Sequence, residues 1–399
     1  MPQPVRTLVF EPDCRGHQWE YVRHICSYVT RARPKVHLSF LVHPTLCDRL
    51  SDERTNAQIA FLPLDAQRAK ICNEGSLLLK DWTRWRCAWE GVEATGADHI
   101  HFLQIDPVQL SLALRRSLPN ACTVSGILFK PSIHYHALWG DSRSWREYGR
   151  DVRKKILYEG MLMNSRLSSL LTLDPYFLAY AKGHLINGSK VEWVCDPMRR
   201  PEPSTETVPS AMFPEDRTIF LIFGSLAKRK GIFQVLDALS HLSKTARTSL
   251  SIVFAGRLRE DVRDAFQSAF QDIQQRYPEV ILHLEDRFLP ENELAGWISK
   301  ADVVLAPYQR AMGSSGVLLW ASALDKPVLT QDYGLIGAYV RDHDLGLTVE
   351  TTSPASIARG IQTFIRYSDR VRVNRSSMRD LIARHHPDRF AETILDAVM

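Results

Sequence analysis

Two α/β domains, each a doubly wound parallel sheet, are what this sequence predicts, and three observations predict them. Short apolar, β-branched runs alternate with helical stretches along nearly the whole chain, an order that builds parallel sheets with helices on both faces. The length of 399 residues exceeds what one core usually serves. Between the halves, Asp196 to Glu215 (DPMRRPEPSTETVPSAMFPE) holds five prolines and little apolar periodicity, which is linker chemistry. The expected division is 1–200, a linker at 201–215, a second domain at 216–375, and a helical segment at 376–399 that can pack back on the first domain.

Composition narrows the function classes. Hydrophobic residues make up 45% and charged residues 24%, the balance of an ordinary soluble globular protein. The seven cysteines all fall between Cys14 and Cys195, are odd in number and form no CxxC pair. Reduced thiols fit that pattern, and a cysteine-based metal site does not. No run approaches the ~20 apolar residues of a membrane span, and the start, MPQPVRTLVFEPD, lacks a signal-peptide pattern. A cytoplasmic location is expected.

Net charge is +5 and uneven: residues 1–200 hold 27 Lys and Arg against 20 Asp and Glu, residues 201–399 hold 23 against 25. That excess is too diffuse for a nucleic-acid stripe. It suits peripheral contact with an anionic membrane, with Arg31, Arg33 and Lys35 or Arg150, Arg153, Lys154 and Lys155 as contact points; a solvated basic helix face is the alternative.

In chain order, Thr7–Phe10 reads as the first strand, and the loop Glu11–His17 hands over to a helix from about Trp19 to Thr30. Gly16 in that loop permits close backbone approach, and with His17 it is a candidate acceptor-side contact. One glycine is not GxGxxG, which argues against a dinucleotide site and a dehydrogenase. His37–Val42 is the second strand. Asp81–Glu90 is helical, with Trp82, Trp85 and Trp89 on one face as core or as a groove wall. Asp98–Ile105 and Ala121–Phe129 follow as strands, joined through a helix around Val108–Ser117. The segment Lys130–Trp139 leaves the carboxyl end of a strand, where ligands collect in open parallel sheets. His134 and His136 are therefore candidates for acid–base work or phosphate contact and Lys130 for acceptor contact, whereas His101, inside a strand pattern, reads as packed or hydrogen-bonded. A basic helix spans about Ser144–Ser165, and short strands at Ser169–Leu173 and Val191–Cys195 close the first half.

Beyond the linker, Thr218–Phe223 is a strand, Gly224–Gly231 (GSLAKRKG) a basic glycine-bounded loop and Ile232–Leu242 a helix. Unpaired N–H groups at a helix start, with cations beside them, receive phosphate well. Ser225, Lys228, Arg229 and Lys230 are the candidate residues. Further strands are expected at Ser251–Ala255, Val280–Leu284 and Val303–Ala306. After the last comes Gly313-Ser314-Ser315-Gly316, then an apolar helix from Val317, then a strand at Lys326–Thr330. This second strand, small-residue loop and helix repeats the phosphate-receiving order, although Gly and Ser also serve simply to cap a buried helix. A turn and short strand are expected over Arg341–Val349, then helices from Ser353.

These motifs resemble the GT4 group of retaining glycosyltransferases, which have the GT-B fold of two Rossmann-like domains facing across a cleft. The resemblance rests on FGSLAKRKGIFQVLDAL, IVFAGR, ELAGWISKADVVLAPY and GVLLWASALDKPVLTQDYG. It implies sugar transfer from a nucleotide-diphosphate sugar to a saccharide, lipid-linked glycan or small-molecule hydroxyl in glycan or polysaccharide biosynthesis, with retention and without a metal or other cofactor. It implies that Lys230 holds the donor diphosphate, that amides of Gly313, Ser314, Ser315, Gly316 and Val317 cap it, and that Arg257 and Arg287 serve the nucleoside. Four positions depart from the family. Its paired glutamates are replaced by Met312 and Trp320, its arginine before the lysine by Ser225, and its first-half histidine by Ser125, so that His134 or His136 would have to substitute. A binding or scaffold protein of the same shape without turnover is the second reading. A nucleotide-sugar epimerase is disfavoured because the donor loop has no carboxylate or histidine.

Overall fold

The computed structural model describes residues 4–14, 18–32, 34–50, 56–114, 117–119, 121–136, 145–204, 208 and 214–399. The chain divides into two units: residues 1–197 with 386–399, and residues 198–385.

The first unit is built on a seven-stranded parallel sheet in the order β3-β2-β1-β4-β5-β6-β7. Its strands are β1 (Val5–Glu11), β2 (Val36–Val42), β3 (Ile59–Pro63), β4 (His99–Phe102), β5 (Thr123–Leu128), β6 (Leu167–Thr172) and β7 (Val191–Trp193). Alternation of side chains along each strand feeds two cores. Leu8, Phe10 and Phe102 pack with Trp85, Tyr158 and Phe177 from the helices Leu77–Thr95, Trp145–Leu162 and Pro175–His184. Val9, Leu38 and Phe40 face Val22 and Ile25 of the helix Gln18–Ala32 and Phe390 and Ile394 of the helix Pro387–Asp396.

Three features of this unit lie outside the sequence expectations. The strand β3 and the helices Pro44–Arg49, Ala66–Glu74 and Pro175–His184 have no counterpart among those expectations; β3 is a short edge strand whose apolar run IAFLP ends in proline. The tryptophan-bearing helix is longer than expected, starting at Leu77 under the cap of Ser76 and ending at Gly96, whose φ of +61° suits glycine. On it Trp85 is buried, but Trp82 is 51% exposed. Trp82, Trp85, Arg86, Trp89 and Ser117 line an open surface pocket of about 590 Å³.

The second unit has a six-stranded parallel sheet in the order β10-β9-β8-β11-β12-β13. The strands are β8 (Thr218–Phe223), β9 (Leu250–Ala255), β10 (Ile281–Glu285), β11 (Val303–Ala306), β12 (Val328–Gln331) and β13 (Gly346–Val349). The chain direction of sheet growth reverses between β8 and β11, which are adjacent, so the loops after these two strands flank the switch point where such sheets bind ligands. Arg341, expected in a turn, belongs instead to the helix Gly334–Asp342; the turn comes at Asp344, whose φ is +50°. The helix Arg375–Arg384 remains in this unit, and the chain passes back to the first between His385 and His386.

Candidate functional site

Every residue of β8 from Ile219 to Phe223 is buried, so the strand delivers Gly224 and Ser225 rigidly at the carboxyl edge of the sheet. Lys228, Arg229 and Lys230 form one 3-10 turn that ends at Gly231, φ +72°, before the helix Ile232–Ala238. Within that turn Lys228 and Arg229 are exposed, whereas the Lys230 side chain folds back under the loop and is only 7% exposed. Its Nζ donates to the carbonyl of Phe223 at 2.5 Å. Burial, helped by the neighbouring charge of Arg229, pushes the amine down to about 7. Gly224 makes room for this: its φ is +85°, and a Cβ there would sit 2.9 Å from Lys230 Nζ.

The loop after β11 is locked to the one after β8. The Gln309 N–H donates to the carbonyl of Arg229 at 2.8 Å, and a Cβ on Gly231 would collide with the Pro307 carbonyl at 2.0 Å. Tyr308 is buried, its hydroxyl shares a hydrogen bond with Ser315 Oγ at 2.8 Å, and Thr351 Oγ1 donates to its carbonyl at 2.5 Å. The buried side chain of Gln331 clamps Ala311 from both sides, accepting from its N–H at 3.0 Å and donating to its carbonyl at 2.6 Å. Gly313 follows with φ +93°. Ser315 then caps the helix Gly316–Ala323, accepting from Val317 N–H at 3.4 Å. Ser314 is exposed, Ser315 and Gly316 are half-buried, and Gly313 and Val317 are buried. The buried ammonium and the capped start of an apolar helix thus belong to two loops that fix each other's position. An anion at this edge would meet one lysine and several oriented N–H groups.

Of the residues expected to hold a nucleoside, Arg257 is exposed on the loop after β9, its carbonyl accepting from Leu226 N–H at 2.9 Å. The structure corrects the expectation for Arg287. Its guanidinium is engaged by Glu285 Oε1 at 2.5 Å and by both oxygens of Glu293, so its charge is already neutralised by two carboxylates. Beside it Phe288, which the sequence reading passed over, is 79% exposed at the same edge. A single phenylalanine in the charged stretch that follows a strand, Glu285-Asp286-Arg287-Phe288, is the signal the sequence offers.

In the first unit the histidines are also corrected. His134 is wholly buried; its Nε2 lies 3.0 Å from Asp174 Oδ2, which also accepts from Tyr135 Oη at 2.7 Å. The other oxygen of Asp174 caps the helix Pro175–His184 through Tyr176 and Phe177 N–H. His134 therefore fastens a helix cap instead of facing a substrate. His136 is 7% exposed with Nε2 3.5 Å from Asp151 Oδ2, again an inward-turned pair. Lys130 is exposed, on a loop held by Asp106, which accepts from Phe129 and Lys130 N–H at 2.9 and 3.2 Å. Gly16 and His17 lie outside the described residues. Ser125, where the family has a histidine, is buried and bridges His99 Nε2 and His101 Nδ1 at 2.7 Å each. Among the described residues no group of three His, Cys, Asp or Glu side chains is placed to hold a metal ion.

Comparison with known proteins bears on the fold and on residues 204–378. Residues 204–378 match the family described as glycosyl transferases group 1. No curated protein sequence matches the chain at a significant level. Among solved structures, sucrose-phosphate synthase from Thermosynechococcus elongatus is 15% identical, with a TM-score of 0.70 over 98% of each chain. Anabaena HepE, solved in complex with UDP-glucose, is 12% identical, with a TM-score of 0.61 over 98% of each chain. WaaG, a glycosyltransferase involved in lipopolysaccharide biosynthesis, is 13% identical, with a TM-score of 0.63 over 99% of each chain.

Proposed function

The chain has the GT-B fold and its residues 204–378 match the group 1 glycosyl transferases, and from that premise we propose that it moves a sugar from a nucleotide-diphosphate sugar to an acceptor hydroxyl. The observation that carries the reading is Lys230: a buried amine held at about 7 beneath a glycine at the switch point of the sheet. Burying a cation is costly unless an anion compensates it, so this position favours a ligand that brings negative charge.

In the proposed reaction the bond between the anomeric carbon and the β-phosphate oxygen breaks, and its electron pair leaves on the nucleoside diphosphate. Protonated Lys230 neutralises the charge that develops there, helped by N–H groups of Gly313, Ser314, Ser315 and Gly316 on the loop after β11. The acceptor oxygen bonds to the anomeric carbon on the face the phosphate leaves, giving retention, and its proton passes to the departing phosphate. No carboxylate base is then needed, which suits Met312 and Trp320 where the family has glutamates. Nor is a metal ion required in this scheme. With His134 and His136 turned inward, the acceptor side of the reading rests on Lys130 and the loop carrying Gly16 and His17. A glycan or polysaccharide acceptor and a peripheral membrane contact of the first unit complete the proposal.

The test is turnover of a panel of UDP- and GDP-sugars by wild type and by Lys230→Ala. One donor should be consumed, and the variant should lose on the order of 10² to 10³ in kcat/KM, the scale of one charge-assisted contact at a leaving group. Equal turnover by the variant would remove Lys230 from the mechanism. Tight binding of UDP or GDP with no turnover on any donor or acceptor would instead favour a binding protein.

A further inference from the structure

The helix Trp145–Leu162 is inverted over its first three turns. Trp145, Tyr148, Val152 and Ile156, spaced three or four residues apart, form one stripe that is 90%, 52%, 41% and 64% exposed, while Asp151 on the opposite face is buried. Arg146 and Arg153 flank the stripe and are exposed. The other basic residues of the expected membrane cluster are engaged elsewhere. Lys154 turns inward to Ser132 Oγ at 2.7 Å, Arg150 Nε lies 3.5 Å from Asp151, and Lys155 Nζ lies 3.9 Å from Glu159.

A second apolar patch lies on the same layer. Leu77 and Leu78 are 78% and 68% exposed at the start of the helix Leu77–Thr95, followed by half-exposed Trp82. The helix Gln109–Ala113 joins the two: Asp81 accepts from Leu110 and Ser111 N–H at 3.0 and 3.1 Å, and a Cβ on Gly160 would press on Ala113. Both long helices run against the strands they precede, so both amino-terminal ends lie at the carboxyl edge of the sheet.

We propose that this layer docks the first unit on an anionic lipid surface, with the Trp145 stripe and the Leu77 turn entering the headgroup boundary and Arg146 and Arg153 meeting the lipid charge. Large apolar side chains standing outward on convex helices suit a fluid interface better than a shaped partner, and Trp and Tyr favour the boundary between headgroups and hydrocarbon. The sign of charge agrees, since the first unit, residues 1–197 with 386–399, holds 26 Lys and Arg against 23 Asp and Glu. The inference deepens the membrane contact of the proposed function and rests on it, but not on sugar transfer.

The experiment is co-sedimentation of the full chain with vesicles of phosphatidylcholine alone or mixed with phosphatidylglycerol. Two variants are compared, Trp145→Ser/Tyr148→Ser/Ile156→Ser and Arg146→Glu/Arg153→Glu. Wild type should bind the anionic vesicles and release in high salt, and each variant should partition about tenfold less or weaker still, with an unchanged Tm because all five positions are exposed. Absence of binding to anionic vesicles at low salt, or binding by both variants as strong as that of wild type, overturns the proposal. So does a wild-type dimer that the triple variant abolishes without any vesicle binding, since the occupant is then a second copy of the chain. Donor turnover in vesicle-free buffer is read separately, so failure of the transferase reading leaves this result standing.

Discussion

At the scale of single residues, the first unit hides a histidine pair as carefully as the second hides its lysine. Burial lowers His99 to about 4 and His101 to about 3, the latter helped by the charge of His99, and Ser125 Oγ serves both rings. Both rings are neutral in the folded state, while the unfolded chain protonates them near 6.5. Their contribution is therefore complete above that pH and is lost as pH falls from 6.5 towards 4 and 3. Glu11 opposes this. Burial raises it to about 7 against the countering Arg84, so its contribution is present below 4.5 and fades as pH rises to 7. Below about pH 4.5 the histidines act unopposed. Urea unfolding should show the steepest loss of stability there, on the order of 3 to 5 kcal/mol per histidine over the full range. A His99→Asn/His101→Gln variant should flatten that slope; an unaltered slope would contradict the assignment.

At the scale of elements, Asp174 shows how a loop, a cap and a buried ring are made one piece. It accepts from two helix N–H groups, from Tyr135 Oη and from His134. Asp174→Ala leaves these buried donors without a partner, and the first unit should lose about 2 to 4 kcal/mol of unfolding free energy. UDP affinity should not change, because the loops proposed to hold the donor belong to the other unit; a loss below about 1 kcal/mol would mean that water replaces the carboxylate.

The same residues mark what the sequence could disclose. Strands such as β8 and β11 were legible because buried parallel strands are continuous apolar runs ending in Gly or Pro. The loop at Lys228–Lys230 was legible as basic, but nothing local distinguishes the one lysine that folds inward from the two cations that stay in water. His134 looked available because it follows a strand end. That it serves Asp174, 40 residues away, is a tertiary fact with no periodic signal. Arg287 is a second such case, its partner Glu293 lying across a turn in the next helix. The inverted stripe at Trp145 shows only when burial is known, since its spacing is equally that of a core-facing helix.

At the scale of the molecule, the chain makes two parallel sheets and then returns. The helix Pro387–Asp396 places Phe390, Ile394 and Leu395 in the core of the first unit, and Tyr28 Oη and Arg31 hold it through Glu392 and Asp388 at 2.9 and 2.5 Å. Each unit thus has its own core, and the donor chemistry proposed here needs only the second, where Gly231 and Gln309 fix two loops to each other and Gln331 pins one of them to β12. The intact protein is nonetheless the right subject for a binding test, since its last helix completes the first unit.

Whether Lys230 meets a diphosphate can be read by calorimetry of UDP and GDP binding at pH 8, repeated in buffers of different ionisation enthalpy. With Lys230 near 7 in the free protein, the amine is mostly neutral at that pH and must gain a proton to meet a diphosphate. The account predicts uptake of roughly 0.9 proton per nucleotide bound, and its disappearance together with most of the affinity in Lys230→Met. Binding without proton uptake, or equal affinity in the variant, would contradict it.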